Sequence, residues 1–138
     1  MADLLEGLND AQKTAITHGN GPLLIVAGAG TGKTAVLTRR YAWLLKERSL
    51  DTSRILSLTF TEKAAGEMED RILQLLPNGS YDFWVHTFHG FCQRVLESHA
   101  VKIGLPHKFK LLNETEAWLF VTRHYREFPL DYYTQLGN

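Results

Sequence analysis

An eight-residue glycine-rich loop between an apolar run and a helical pattern constrains this chain more than any other feature. The loop reads Ala-Gly-Ala-Gly-Thr-Gly-Lys-Thr over residues 27–34, directly after the apolar residues 23–27. Glycine lets successive backbone N–H groups turn towards an anion, and the positive end of the following helix adds to the attraction. The loop therefore predicts a site for the phosphates of a nucleotide.

Each residue of the loop has an expected role. Lys33 would place its charge on the outer phosphates, and the Thr34 hydroxyl would hold Mg²⁺. Ala27 stands where the simplest form of the motif has glycine. The alternative is a glycine-rich turn with an exposed lysine, but the agreement of loop, lysine, threonine and flanking elements favours the phosphate site. The backbone of the cradle would come from Ala27, Gly28, Ala29, Gly30, Thr31 and Gly32.

Hydrophobic periodicity predicts an α/β fold. The pattern indicates strands at 23–27, 54–60 and 82–86, with a possible further strand at 109–112, and helices at 10–18, 33–47, 62–76, 88–103 and 113–127. Capping boxes begin the first and last of these helices, at Asn9 with Gln12 and at Asn113 with Glu116. Strands that alternate with helices over short linkers favour a parallel sheet covered by helices.

Composition and charge narrow the class of protein but do not identify it. The 138 residues carry 15 Lys and Arg against 15 Asp and Glu, and residues 33–110 hold twelve basic and eight acidic side chains. That excess is too small to argue nucleic-acid binding. A single cysteine, Cys92, predicts a reducing compartment and a buried small hydrophobe. His86 and His89 have no partner at metal-ligand spacing. We expect a soluble, cytoplasmic protein without a membrane segment.

Four segments in order resemble the N-terminal part of superfamily 1 DNA helicases of the UvrD/Rep/PcrA type. They are the glycine-rich loop and the residues 8–12 (Leu-Asn-Asp-Ala-Gln), 58–68 (Leu-Thr-Phe-Thr-Glu-Lys-Ala-Ala-Gly-Glu-Met) and 85–94 (Val-His-Thr-Phe-His-Gly-Phe-Cys-Gln-Arg). The resemblance implies that the Gln12 amide pairs with adenine, since it offers a donor and an acceptor. The alternative is that Gln12 only completes the capping box.

The third and fourth segments are similar to the family's DNA-contacting motifs. The resemblance assigns base stacking to Phe60, phosphate contact to Thr61, and further DNA contacts to Thr87 and His89. The alternatives are a core aromatic at Phe60, a helix cap at Thr61 and a core or capping histidine at His89. Two residues depart from the family: Glu62 stands where Asn is often found and Ala35 where many relatives have Arg, which leaves open whether Arg39 or Arg40 substitutes.

The resemblance implies a RecA-like P-loop NTPase domain over 1–112 and the start of a helical insertion over 113–138. The implied activity of the parent is ATP- and Mg²⁺-dependent translocation along single-stranded DNA from 3′ to 5′, with unwinding at duplex junctions. We expect a truncated fragment that is inactive by itself, because no Asp-Glu pair follows an apolar run to hold Mg²⁺ and activate water. A small P-loop kinase, or a degenerate module that binds nucleic acid or a protein partner without turnover, are the alternatives.

Overall fold

Parallel strand pairing organises the part of the chain that the computed structural model describes, residues 4–77 and 79–129. Within these residues the protein is α/β, with two strands joined by a helix and further helices around them. The strands are β1 (Leu56–Thr59) and β2 (Trp84–Thr87). The α-helices are α1 (Asp10–Thr17), α2 (Lys33–Glu47), α3 (Glu62–Leu75), α4 (Phe88–His99) and α5 (Glu114–His124), with 3₁₀ turns at Thr52–Arg54, Ala100–Ile103 and Tyr125–Glu127.

The two strands place the loops that follow them side by side. Leu56 lies opposite Trp84 and Thr59 opposite Thr87, in parallel register. Because parallel strands end at the same edge of a sheet, the turn into α3 and the turn into α4 meet there. The sheet therefore brings together two segments that the sequence separates by 25 residues or more.

A hydrophobic core lies between the helices α2 and α3 and the second strand. The Tyr41 ring meets the Phe83 ring edge-on at 5.6 Å between centroids, and both side chains are buried. The full cluster is Tyr41, Ile55, Ala65, Met68, Ile72, Phe83 and Val85. A smaller cluster of Ala15, Ile16 and Val36 joins α1 to α2, which fixes the first helix beside the glycine-rich loop.

Local signals predicted the helices closely. Both capping boxes are present, with the Asn9 side chain on the Gln12 N–H and the Asn113 side chain on the Glu116 N–H. The helix predicted at 33–47 is α2. The helix predicted at 88–103 has an α-helical part, α4, and ends in a 3₁₀ turn. These features depend on neighbouring residues alone, which is why the sequence predicts them.

The strand predicted at 23–27, buried on both faces, is wrong in the structure. This segment has no regular secondary structure and is not paired with a strand among the described residues. Ile25 packs on the small cluster between α1 and α2, whereas Leu24 and Val26 are 85% and 88% exposed. Only one side of the segment meets a packed layer, so alternate side chains point outwards.

Two further predictions are corrected. Residues 109–112 form no strand, because nothing pairs with their backbone among the described residues. Cys92 is exposed rather than buried, since the apolar stripe of α4 indicates a face but not whether another element covers it. The described residues form two compact units that meet at Ser98 and His99. The predicted division at 112 and 113 stays a prediction, and residues 130–138 lie outside the described part.

Candidate functional site

Two glycines of the glycine-rich loop have backbone conformations that other residues rarely adopt. Gly30 and Gly32 have φ angles of 73° and 87°, in the left-handed region that side chains disfavour. Gly32 caps α2 without any side-chain hydrogen bond, and the helix begins at Lys33. The first N–H groups of a helix have no partner within it. The loop therefore presents N–H donors at the positive end of a 15-residue helix.

The Lys33 side chain folds back over this loop. Its ammonium group donates to the carbonyl oxygen of Ala27 at 2.8 Å and to that of Gly28. The Thr31 hydroxyl also donates to the Gly28 oxygen, at 2.8 Å. The lysine charge thus lies at the centre of the loop, held by neutral carbonyls. Thr34 is exposed in the first turn of α2.

Gln12 joins the first helix to the loop. Its Oε1 accepts from the Asn9 N–H at 3.1 Å, and its Nε2 donates to the Thr31 oxygen at 3.2 Å. Gln12 therefore completes the capping box and also reaches the loop, while its pairing with adenine stays a prediction. A Cβ at Gly32 would lie 3.2 Å from the Gln12 nitrogen, so a larger residue would crowd this amide in addition to the strain of the left-handed φ angle.

A cleft of about 190 Å³ lies between α1, residues 23–27 and the loop. The side chains of Gln12, Thr31 and Lys33 line it together with the apolar residues Ala15, Ile25 and Val36. Of the predicted nucleotide residues, the structure brings four to this cleft, Gln12, Ala27, Thr31 and Lys33. The others do not line it: Gly28, Ala29, Gly30, Gly32 and Thr34. An apolar wall with a few polar groups is the usual character of a small-molecule site.

Arg39 and Arg40 do not line this cleft, and their guanidinium groups bond backbone carbonyls. Arg39 donates to the carbonyl oxygens of Leu4 and Glu6, at 3.1 and 2.7 Å. Arg40 donates to the oxygens of Ala15, Ile16 and His18 at the end of α1, at 3.1, 2.9 and 3.0 Å. Both guanidinium groups hold the N-terminal segment and α1 against α2.

The turn after β1 carries an exposed aromatic. Phe60 is 92% exposed and its ring lies 6.1 Å from that of Phe88, which is 53% exposed. The alternative of a core aromatic at Phe60 is therefore wrong. Thr61 caps α3, since its hydroxyl accepts from the Ala64 N–H at 3.1 Å. Sequence reasoning missed Phe88, although it lies between two predicted contact residues.

At the junction of β2 and α4, the Thr87 side chain is buried and His89 is exposed. The Thr87 hydroxyl donates to the Glu62 carboxylate at 2.6 Å and accepts from the Gly90 N–H at 3.0 Å. Thr87 is only 6% exposed, so a role for it at the surface acts through its neighbours. Glu62, noted in the sequence only as a departure, is the side chain that joins the two turns.

An ionic and aromatic cluster supports β2 from α4. The Arg94 guanidinium makes two bonds to the Asp82 carboxylate, at 2.9 and 2.7 Å. It also bonds His86 Nε2 at 3.1 Å and lies over the Trp84 ring at 4.2 Å. This cluster holds the middle of α4 against β2 and the residues before it, and nothing in the local sequence pattern predicted it.

Comparison with known proteins decides the family. Residues 8–135 match the UvrD/REP helicase N-terminal domain. The chain belongs to this family. It is 44% identical over 129 residues to the ATP-dependent DNA helicase UvrD1 of Mycobacterium tuberculosis and 41% identical over 128 residues to the ATP-dependent DNA helicase PcrA of Bacillus subtilis. Each match covers 93% of this chain and 17% of the relative, so the chain spans about a sixth of their length.

No described helix of this family member is both long and apolar enough to cross a membrane.

Proposed function

We propose that the chain is the ATP-binding N-terminal part of a DNA helicase, within a RecA-like P-loop domain. The observation that carries the proposal is the meeting of Gln12, Lys33 and the backbone of the glycine-rich loop in one cleft at the start of α2. The parent protein would couple ATP hydrolysis to 3′-to-5′ movement along single-stranded DNA and to unwinding at duplex junctions. Membership of a helicase family and relatives named ATP-dependent DNA helicases support this.

The donor set of the loop suits the phosphates of ATP. A triphosphate would replace the carbonyls of Ala27 and Gly28 as partners of the Lys33 ammonium, because an anion binds a cation more strongly than a neutral oxygen does. The N–H groups from Gly30 to Thr34 would cradle the phosphate oxygens. The exposed Thr34 hydroxyl would hold Mg²⁺ with the phosphates.

The same proposal places single-stranded DNA along the ends of β1 and β2. An unpaired base would stack on the exposed Phe60 ring, next to Phe88. His89 is exposed beside them and would contact a phosphate or a base. Thr61 and Thr87 would act mainly by shaping the two turns, since their hydroxyls cap the helices that follow.

A nucleotide titration tests the phosphate site. We expect wild-type protein to bind ATP with Mg²⁺, and Lys33→Ala to bind it at least tenfold more weakly, since a charged hydrogen-bond donor is lost (~1.5–3 kcal/mol). Lys63→Ala is the control, because this lysine is 86% exposed on α3. Equal affinity of wild type and Lys33→Ala would remove the phosphate-loop assignment.

We further propose that the 138-residue chain turns over ATP negligibly. Its sequence has no Asp-Glu pair after an apolar run, and Glu69 and Asp70 lie within α3. Hydrolysis needs a carboxylate that positions Mg²⁺ and water. Sustained turnover by the purified chain, abolished in Lys33→Ala, would contradict this part of the proposal. The alternative of a binding module without turnover would be favoured by a different result. In that case the chain would bind single-stranded DNA with an affinity that ATP does not change, and it would bind no nucleotide.

A further inference from the structure

The Glu62 carboxylate bridges the two strand-end turns. Glu62 is the first residue of α3, and its Oε1 accepts from the Thr87 hydroxyl at 2.6 Å. Thr87 is the last residue of β2. A hydrogen bond to an ionised carboxylate is shorter and stronger than one between neutral groups. The contact therefore ties the start of one helix to the end of the neighbouring strand.

Backbone groups of α4 lie close to this bond, although Glu62 itself is exposed. The Thr87 oxygen also accepts from the Gly90 N–H at 3.0 Å, so the hydroxyl is held from both sides. A Cβ at Gly90 would lie 3.2 Å from the Thr87 oxygen and 3.6 Å from Glu62 Oε1. Glycine at this position lets the α4 backbone approach the bridge closely.

The bridge also changes what a carboxylate does at this edge. A free Glu62 at the start of α3 would repel a DNA phosphate. Bonded to Thr87, the carboxylate is directed towards β2 and α4. Phe60 precedes it by two residues, and Phe88 and His89 follow Thr87 directly. The residues on each side of the bridge are those for which DNA contact is proposed.

We propose that Glu62 is a positioning residue for single-stranded DNA. Through Thr87 it fixes the distance between the turn that carries Phe60 and the start of α4, where Phe88 and His89 lie. The side chains that would contact DNA are then in place before binding, so DNA binding does not have to order them. This inference rests on the proposed function, because it concerns the same DNA-contacting edge.

Two pairs of variants separate geometry from charge. Glu62→Gln and Glu62→Ala both remove the negative charge, but only glutamine keeps an oxygen that can accept from Thr87. Thr87→Ser keeps the hydroxyl, whereas Thr87→Val keeps the shape and loses it. The measurement is the binding of a fluorescent oligothymidylate to the full 138-residue chain at fixed salt, by anisotropy.

Glu62→Gln and Thr87→Ser can still form the hydrogen bond, and we expect each to bind no more weakly than wild type. Glu62→Ala should bind about fivefold more weakly than Glu62→Gln, and Thr87→Val about fivefold more weakly than Thr87→Ser, the factor that one hydrogen bond is worth. The double variant Glu62→Ala with Thr87→Val should bind no more weakly than Thr87→Val alone, because Thr87→Val already removes the bond to Glu62 together with the bond from the Gly90 N–H.

Controls distinguish this role from general stability. Glu67→Ala removes a half-exposed carboxylate from the same helix and should not weaken binding. Urea unfolding should show each variant folded under the binding conditions. Equal affinity of Glu62→Ala and Glu62→Gln would overturn the positioning role while leaving the DNA site intact. Absence of oligothymidylate binding by the wild-type chain would overturn both.

Discussion

The ring of Phe60 lies 6.1 Å from the ring of Phe88, tilted by 46°, and the two residues are 92% and 53% exposed. Phe60 follows the last residue of β1 and Phe88 is the first residue of α4, 28 positions further along the sequence. Exposed aromatic rings gain little for the folded chain, since burial is what stabilises them. Their exposure as a pair therefore favours a role in contact with a ligand that has flat faces of its own.

Replacing Phe60 by alanine should separate binding from stability. The free energy of unfolding should change by less than about 0.5 kcal/mol, as for most surface substitutions. Affinity for oligothymidylate should fall by about 1–3 kcal/mol, the value of one base on an aromatic ring. Phe88→Ala should show a smaller loss of the same kind. Trp118→Ala is the control, since Trp118 is 65% exposed on α5 and should not affect the affinity.

The two roles of Gln12 can be separated by substitution. Gln12→Glu keeps an oxygen for the Asn9 N–H but loses the N–H that donates to Thr31. We expect it to keep the free energy of unfolding within about 0.5 kcal/mol and to bind ATP more weakly. Gln12→Ala should also lose about 1 kcal/mol of stability with its half of the capping box. Undiminished ATP affinity in Gln12→Glu would argue that the residue only caps α1.

Two glycines in helices should respond oppositely to alanine. Gly66 in α3 has no atom within 4 Å of an added Cβ, so Gly66→Ala should raise the free energy of unfolding by about 0.5–1 kcal/mol. Gly90→Ala should lower it, because the new methyl group would press on the hydroxyl of Thr87. Urea denaturation measures both. A stabilising Gly90→Ala would show that the contact beside Thr87 yields easily.

Tyr41 should make the stability fall at high pH. Burial, with a smaller contribution from the Glu69 carboxylate, raises the pKa of Tyr41 to about 12. The unfolded side chain ionises near pH ~10, so the unfolded state loses its proton first as pH rises. The raised pKa of Tyr41 therefore adds to the free energy of unfolding, on the order of 2 kcal/mol. This stabilisation is fully present below about pH 10 and is lost as the pH rises to about 12. Urea denaturation at a series of pH values between about 9 and about 12 measures this. The free energy of unfolding should fall with pH in wild type and in Tyr125→Phe, and should fall less in Tyr41→Phe.

Features set by neighbouring residues were predictable from the sequence. The capping boxes at Asn9 and Asn113 and the bounds of α2 agree with the structure, because a cap and a helical stripe depend on side chains within one turn. The sequence left open whether Gln12 only completes the capping box or also pairs with adenine. The structure shows the capping bond and a bond to the Thr31 oxygen, and the adenine role stays a prediction.

Features set by distant residues were not predictable. The outward side chains of Leu24 and Val26 depend on which layers pack against the segment, which periodicity does not report. The bond between Glu62 and Thr87 depends on the register that sets Thr59 beside Thr87. A carboxylate and a hydroxyl 25 residues apart carry no local mark of their pairing. The DNA-contact roles of Phe60, Thr61, Thr87 and His89 stay predictions.

Arg40 connects the two helices of the proposed nucleotide site, because its guanidinium makes three hydrogen bonds to carbonyls at the end of α1. Gln12 sits on α1 and Lys33 begins α2, so the guanidinium locks the carriers of both side chains into one rigid body. The proposed nucleotide site would therefore be preorganised, because α1 and α2 are joined before any ligand binds. The entropy of ordering α1 against α2 is lost during folding and would not weaken the binding of a nucleotide.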